Sequence, residues 1–224
     1  MKKYAVIVAG GKGSRMKSDV PKQFLLVKGK PVLYYTLDSF LKTFADINII
    51  LVLPEDHIAA GQEIIDAFFS YNHITTTTGG RTRFHSVKNG LKMINEEGIV
   101  FVHDAVRALA SSDLLSRTYD AVLKYGSAVP VVPCRDSLRI LNESGSDVID
   151  RDLIRLVQTP QAFYSKILIP AFNIDYKDKF TDEASVVEAF GLHVYLVDGE
   201  ETNIKITHPF DLLLMEKILD ERSA

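Results

Sequence analysis

A chain of 224 residues, 46% of them hydrophobic, carries enough apolar side chains for one substantial core, so a single domain over residues 1–224 is expected. Its 26 basic and 29 acidic residues leave a net charge of −3, which excludes a global positive field aimed at nucleic acid or an anionic membrane surface. A lone cysteine, Cys134, excludes an intrachain disulfide and falls far short of a zinc ligand set; it reads as a small apolar side chain.

The first apolar run, residues 3–9, reads as a buried strand. It is too short for a signal segment or a membrane span, so cytoplasmic residence is the default expectation. The run leads straight into Gly10, Gly11, Lys12, Gly13, Ser14 and Arg15, with Lys22 shortly after. Glycines there let backbone N–H groups approach an anion, a helix beginning near Ser14 adds its positive end, and Arg15 and Lys22 supply full charges. The same glycines also suit a strand-to-helix turn that binds nothing. Two familiar nucleotide loops fit the spacing poorly. The spacing is not that of a Walker A loop, and Met16 stands where a dinucleotide fingerprint needs its third small residue.

Further along, short β-branched runs alternate with segments of helical period. Strands are predicted over 47–53, 73–77, 99–103, 128–132 and 193–197, and helices over 31–44, 56–69, 82–94 and 112–125, with Pro31 in the first turn of its helix. That alternation predicts an α/β fold with a mainly parallel sheet flanked by helices. The turn Gly79-Gly80-Arg81-Thr82-Arg83-Phe84-His85-Ser86 reads either as a base-binding turn, with Ser86 in reach of a flat ring, or as a glycine turn with a Thr82 cap and solvated arginines. Asp104 follows the strand at 99–103, where open α/β sheets place ligands. It reads equally as a ligand for Mg²⁺ or a ribose hydroxyl and as an N-cap or a local Asp–Arg pair with Arg107. His103 reads as a structural hydrogen-bonding partner.

Residues 134–157 break the alternation: two extended pieces joined by a turn at 142–145 predict a projecting β-arm. Its apolar Leu138, Ile140, Leu141, Val148 and Ile149 find no evident partner in a two-layer domain, which points either to burial against a second copy of the chain or to a hairpin folded back on its own domain. Two late segments, Thr181-Asp182-Glu183-Ala184-Ser185 and Asn203-Ile204-Lys205-Ile206-Thr207, add hydroxyls and an ammonium, although Thr181 is also a good helix cap.

Taken in order across nearly the whole chain, AGGKGSRM, PKQF, GGRTRFHSV, HDAVR, TPQAF, TDEAS and NIKIT resemble the cytidylyltransferases of the non-mevalonate isoprenoid pathway. The resemblance implies a Rossmann-like nucleotidyltransferase core and a homodimer whose arm, 134–157, reaches the neighbouring active site. It implies CTP and Mg²⁺ as requirements, 2-C-methyl-D-erythritol 4-phosphate as acceptor, and CDP-methylerythritol and pyrophosphate as products. It assigns Arg15, Lys22 and Lys205 to the phosphates, Gly10, Gly11, Gly80 and Ser86 to the cytosine, and Asp104 to the nucleotide and metal side. Arg107, Ser137, Arg151, Thr159, Thr181 and Thr207 fall on its acceptor positions, Arg151 within the arm.

Three residues depart from the pattern. Ala108 stands where proline is usual, Ser137 where threonine is usual, and Val106 is often seen in the related ribitol 5-phosphate cytidylyltransferases, so ribitol 5-phosphate is the alternative acceptor. TDEAS favours the isoprenoid branch. A nicotinamide oxidoreductase and a non-catalytic nucleotide-binding regulator are the readings from other classes. No nucleic-acid or membrane partner is expected.

Overall fold

The computed structural model describes residues 1–10, 20–69 and 73–223. Gly11 and Arg15, assigned above to base and phosphates, and the helix expected near Ser14 lie outside the described residues.

In chain order the elements are β1 (Lys2–Val8), β2 (Leu26–Val27), β3 (Lys30–Pro31), α1 (Val32–Thr43), β4 (Ile47–Leu53), α2 (Ile58–Phe68), β5 (Ile74–Thr78), α3 (Arg83–Leu91) and β6 (Gly98–Asp104). They continue with α4 (Ser112–Tyr125), β7 (Ser127–Pro133), β8 (Leu138–Asn142), β9 (Gly145–Ile149), β10 (Arg155–Val157), β11 (Gln161–Tyr164), α5 (Ser165–Ala171), α6 (Glu183–Ala189), β12 (Leu196–Asp198) and α7 (Pro209–Ser223). The main sheet runs β10-β7-β11-β6-β1-β4-β5, with β12 added beside β7. Strands β6, β1, β4 and β5 are parallel neighbours, and β11 is antiparallel to both β6 and β7. The expected mainly parallel α/β sheet is therefore present, with one central antiparallel strand that periodicity did not reveal.

Alternation along the central strands builds two cores. Ala5, Ile7, Ile49, Leu51 and Phe101 face a layer made by Leu37 and Phe40 of α1, Ile65 of α2 and Val122 of α4. Tyr4, Val6, Val52, Val100 and Val102 face the opposite layer, from Val87 and Leu91 of α3, Leu168 of α5 and Val187 of α6. Both faces of these strands are covered, which is why they read as continuous apolar runs. A third cluster packs Met215 and Ile218 of α7 against Val106, Leu109 and Ile206.

Local chemistry sets the helix ends. Ser111 caps α4 by accepting from the Leu114 N–H, and Gly126 ends it in the left-handed region at φ 86°. Pro31 is the N-cap of α1, one position before the first turn in which it was expected, and Val32 opens the helix. The strand expected at 193–197 is confined to Leu196–Asp198, because β7 offers a parallel partner only there.

The arm is a separate two-stranded ribbon pairing Leu138 with Ile149 and Asn142 with Gly145. Within one chain Ile140, Leu141 and Val148 stay in solvent, Leu141 at 84% exposure and Val148 at 73%, whereas Leu138 and Ile149, paired at the arm's base, are half-buried. Cys134, at its base, is buried.

Candidate active site

The parallel strands end side by side, and main-chain bonds lock those ends together. Ala9 N donates to Val52 O, Gly79 N to Leu53 O, and Ala105 N to Val8 O, at 2.7–3.0 Å. Gly10, the Gly79-Gly80 turn and Asp104 therefore share one edge of the sheet, its carboxyl edge.

Ser86 closes the glycine turn. Its Oγ accepts from Gly80 N at 3.0 Å and donates to Thr82 O at 3.0 Å, while the side chain is buried. Thr82 caps α3 as expected, accepting from His85 N and pairing with His85 Nδ1 at 2.7 Å. A Cβ on Gly80 would lie 2.4 Å from His85 Cβ, so only glycine fits this close approach. Across the turn, a Cβ on Gly10 would be 3.7 Å from Ser86 Oγ, an ordinary contact. Gly10, Gly80 and Ser86 are thus brought together, in one narrow place made mostly of main chain.

Asp104 is the last residue of β6 and not the first residue after it. The local pair with Arg107 is not made. Its Oδ1 takes Arg83 Nε at 3.1 Å and its Oδ2 takes Lys205 Nζ at 2.7 Å. Burial pushes the Asp104 carboxyl up, but Arg83 and Lys205 outweigh it and hold the group well below the usual carboxylate range. Arg83, solvated in one of the two readings of this turn, instead grips Glu183 with both Nη atoms, at 2.5 and 3.2 Å. That carboxylate is fully buried, and burial raises it against the pull of Arg83.

Lys22 is buried and donates from Nζ to Ile206 O at 2.8 Å, which seats it against the residue that follows Lys205. Next to it, Gln23 donates to Ala9 O at 2.9 Å and fastens this segment to the end of β1. Two of the three cations expected at the phosphates therefore converge on the Gly10 edge, and Arg15 lies outside the described residues.

Arg107 turns away from Asp104 to the carbonyls of Asn203 and Val157, at 2.8 and 3.4 Å, and its Nε is buried with no hydrogen-bond partner among the described residues. Burial lowers its pKa. With Lys205, Asn203, Gln158 and Arg135 it lines an open groove of about 430 Å³ between the sheet and the base of the arm. Asn203 is completely buried; its Nδ2 donates to Thr159 O at 2.9 Å, while its Oδ1 finds no donor among the described residues.

The remaining acceptor assignments scatter. Thr159 is buried below the groove and belongs to a chain of hydrogen bonds with its neighbours. Asp104 N donates to Thr159 Oγ1, which pairs with His103 Nδ1, and His103 Nε2 pairs with Arg107 O. His103 is therefore the structural partner it was expected to be, and burial lowers its pKa to about 4. Thr207 is tied by N and Oγ1 to Asp211 in the first turn of α7. Thr181 is exposed and is not the cap of α6. Asp182 takes that place, in a capping box with Ser185, because its carboxylate reaches Ser185 N at 3.0 Å. Ser137 is exposed at the arm's base, and Arg151 is exposed with Nη1 on Arg135 O at 2.9 Å, so neither joins the groove within one chain.

Arg83, Glu183, Asn203 and Gln161 were missed from the sequence as site residues. Their signal was present, because each stands inside a motif quoted for other members: GGRTRF, TDEAS, NIKIT and TPQAF.

No cluster of three or more candidate metal ligands occurs among the described residues. Asp104 presents an ionised carboxylate, and its Oδ2 partner is a lysine whose side chain is 40% exposed. That suits a Mg²⁺ ion held by one carboxylate with phosphates and waters, the usual manner for this ion. Among the described residues no helix is long and apolar enough to cross a membrane.

Residues 4–221 match the profile of the 2-C-methyl-D-erythritol 4-phosphate cytidylyltransferase (IspD) family. The enzyme of that name from Bacteroides thetaiotaomicron is 46% identical over 220 residues, covering 98% of this chain and 100% of its own length. The crystal structure of 4-diphosphocytidyl-2C-methyl-D-erythritol synthase from Anaerococcus prevotii superposes with a TM-score of 0.83 at 30% identity, covering 98% of this chain and 96% of that one. The Thermus thermophilus 2-C-methyl-D-erythritol 4-phosphate cytidylyltransferase superposes at 0.78 with 32% identity, covering 98% and 100%.

Proposed function

The chain belongs to the 2-C-methyl-D-erythritol 4-phosphate cytidylyltransferase family, and on that premise we propose how its residues divide the work. It is a CTP-dependent nucleotidyltransferase that moves CMP onto 2-C-methyl-D-erythritol 4-phosphate. An oxygen of the acceptor phosphate attacks the α-phosphorus of CTP in line. The bond from that phosphorus to the bridging oxygen breaks, and pyrophosphate carries the electron pair away. The nucleophile is already an anion at neutral pH, so no covalent intermediate and no strong base are required. The barrier is charge repulsion and misalignment, which fixed cations reduce.

The observation that carries this division is the seating of Lys22 on Ile206, beside Lys205, at the strand edge that also holds Gly10, Gly80 and Asp104. Lys22 and Lys205, with Arg15, neutralise the triphosphate. Gly10, Gly80 and Ser86 form a slot whose main-chain groups read the cytosine edge and exclude a purine by width. Lys205 leaves Asp104 for the phosphates, and Asp104 then faces the nucleotide and a Mg²⁺ ion. When bound, Mg²⁺ supplies charge neutralisation to the phosphate oxygens. Arg107, Asn203 and Lys205 offer the acceptor a lining of donors and acceptors along the groove, with Thr159 holding that wall from behind.

Val106 and Ala108, which suggested ribitol 5-phosphate, are 7% and 5% exposed and pack with Leu109 and Ile206. They are core residues and tell nothing about the acceptor. We propose further that two copies associate through the arm, so that Arg151 of each completes the acceptor groove of the other. The exposure of Leu141 and Val148 supports this.

The test is pyrophosphate release with CTP, Mg²⁺ and a panel of acceptors. Methylerythritol 4-phosphate should be turned over fastest. Faster turnover of ribitol 5-phosphate, or none with either, would overturn the acceptor assignment.

A further inference from the structure

Glu183 is given no role in the division of work proposed above, yet it is completely buried and bonded through both oxygens to Arg83. A buried acid of this kind costs free energy unless it is matched by a well-placed cation, so its presence calls for a reason. The Arg83 guanidinium divides its fork, with Nη1 and Nη2 on Glu183 and Nε on Asp104 Oδ1. Only one oxygen of Asp104 is thereby engaged, and Oδ2 is left to Lys205.

Glu183 is itself held from two sides. Gln161 of β11, fully buried, donates to Asp182 Oδ2 at 2.8 Å and accepts from Ala184 N at 2.9 Å, gripping the residues on either side of Glu183. The Asp182–Ser185 capping box fixes the same turn. Since β11 pairs with β6, the strand ending in Asp104, both ends of the chain of contacts rest on one sheet.

We propose that Glu183, clamped by Gln161, is a positioning residue for the transfer: it occupies the fork of Arg83 so that Arg83 takes a single oxygen of Asp104, leaving the other directed at Lys205 and the nucleotide. Without Glu183, the guanidinium is free to turn its paired N–H groups onto Asp104, the bidentate geometry an arginine favours with a carboxylate. Both oxygens of Asp104 would then be occupied, and Lys205 would lose its seat. The inference rests on the reading that Asp104 and Lys205 face the nucleotide.

The experiment compares Glu183→Gln, a change of charge with little change of shape, in the wild-type and Asp104→Asn backgrounds. Steady-state kinetics with CTP and methylerythritol 4-phosphate, thermal unfolding and a crystal structure of Glu183→Gln are measured. We expect kcat to fall by about tenfold or more with KM for both substrates little changed, and the loss to shrink below about threefold when Asp104 is already Asn, the non-additivity expected of coupled residues. Equal fractional loss in the two backgrounds would mean that Glu183 serves only the fold, and an unchanged kcat would equally overturn the proposal. Should Glu183→Gln fail to fold, Arg83→Lys, which keeps the charge but has no fork to divide, must show the same pattern or the proposal falls. Absence of turnover in the unmodified protein would refute the substrate reading, not this one. The crystal structure then decides: Arg83 turned onto Asp104 with Lys205 beyond about 4 Å supports it, and an unchanged Asp104–Lys205 pair overturns it.

Discussion

Lys205 Nζ stands 2.7 Å from Asp104 Oδ2, and the residue after Lys205 receives the buried ammonium of Lys22 on its carbonyl. The two lysines differ in what else they support. Lys205→Ala removes a partly exposed side chain whose partner Asp104 keeps Arg83, so turnover should drop about 10²- to 10³-fold, the usual cost of a preorganised charged donor, with a smaller fall in melting temperature than Lys22→Ala shows. Lys22→Ala should lose turnover to a like degree and also melt earlier, because its hydrogen bond is buried. Rates within tenfold of wild type, read in a pyrophosphate-release assay, would remove these residues from the phosphates.

The two glycines of the slot should answer differently to alanine. Among the described residues a methyl at Gly10 meets nothing closer than 3.7 Å, so Gly10→Ala should fold normally and raise KM for CTP, because the methyl occupies the space given to the base. Gly80→Ala brings a Cβ to 2.4 Å from His85 Cβ and should cost stability, on the order of 1–3 kcal/mol for forced overpacking. Calorimetric unfolding and CTP titration of both variants separate the effects. A Gly10→Ala protein with undiminished CTP binding would disprove the base site.

A shared active site predicts complementation. Lys22→Ala and Arg151→Ala proteins, each impaired alone, should recover part of the activity when mixed and allowed to exchange subunits, since one of the two sites in the heterodimer holds both intact residues. Leu141→Asp with Val148→Asp should give monomers on ultracentrifugation, with the groove deprived of the partner's Arg151. If exchange is verified by mass and activity stays low, Arg151 works within its own chain.

His103 should make the metal-free protein acid-sensitive in a defined window. Burial lowers its pKa from 6.5 to about 4, so the unfolded chain binds a proton that the folded one refuses. The stabilisation is complete above the unfolded value and disappears as pH falls from about 6.5 to about 4, a change on the order of 3 kcal/mol. Protonation would also replace the Nδ1 acceptor facing Thr159 by a donor. Denaturant unfolding across that range should show a shallower slope for His103→Gln than for wild type, and parallel curves would place the sensitivity elsewhere.

Much of this protein was legible along the chain, for a local reason. Strands β1, β4 and β6 announce themselves as apolar runs because they are covered on both faces, and the cap at Thr82 acts within a few residues of itself. Glycines at 10 and 80, the basic pair Lys22 and Lys205, and Asp104 after an apolar strand were all readable as candidate ligand residues, because such positions carry backbone freedom or charge to strand ends. Strand β11 was not legible: four residues carry too little periodicity, and its antiparallel place between β6 and β7 follows from what those strands leave open. Charge pairing was hidden for the same reason. Nothing near Asp104 in the chain distinguishes Arg107, which turns to main-chain carbonyls, from Arg83, which arrives from another helix and brings Glu183 with it. Residue types and local spacing determined which groups the site can draw on; packing of α3 and α6 against the sheet decided which of them meet, because an ion pair between distant segments exists only once both have been brought out of water to the same place.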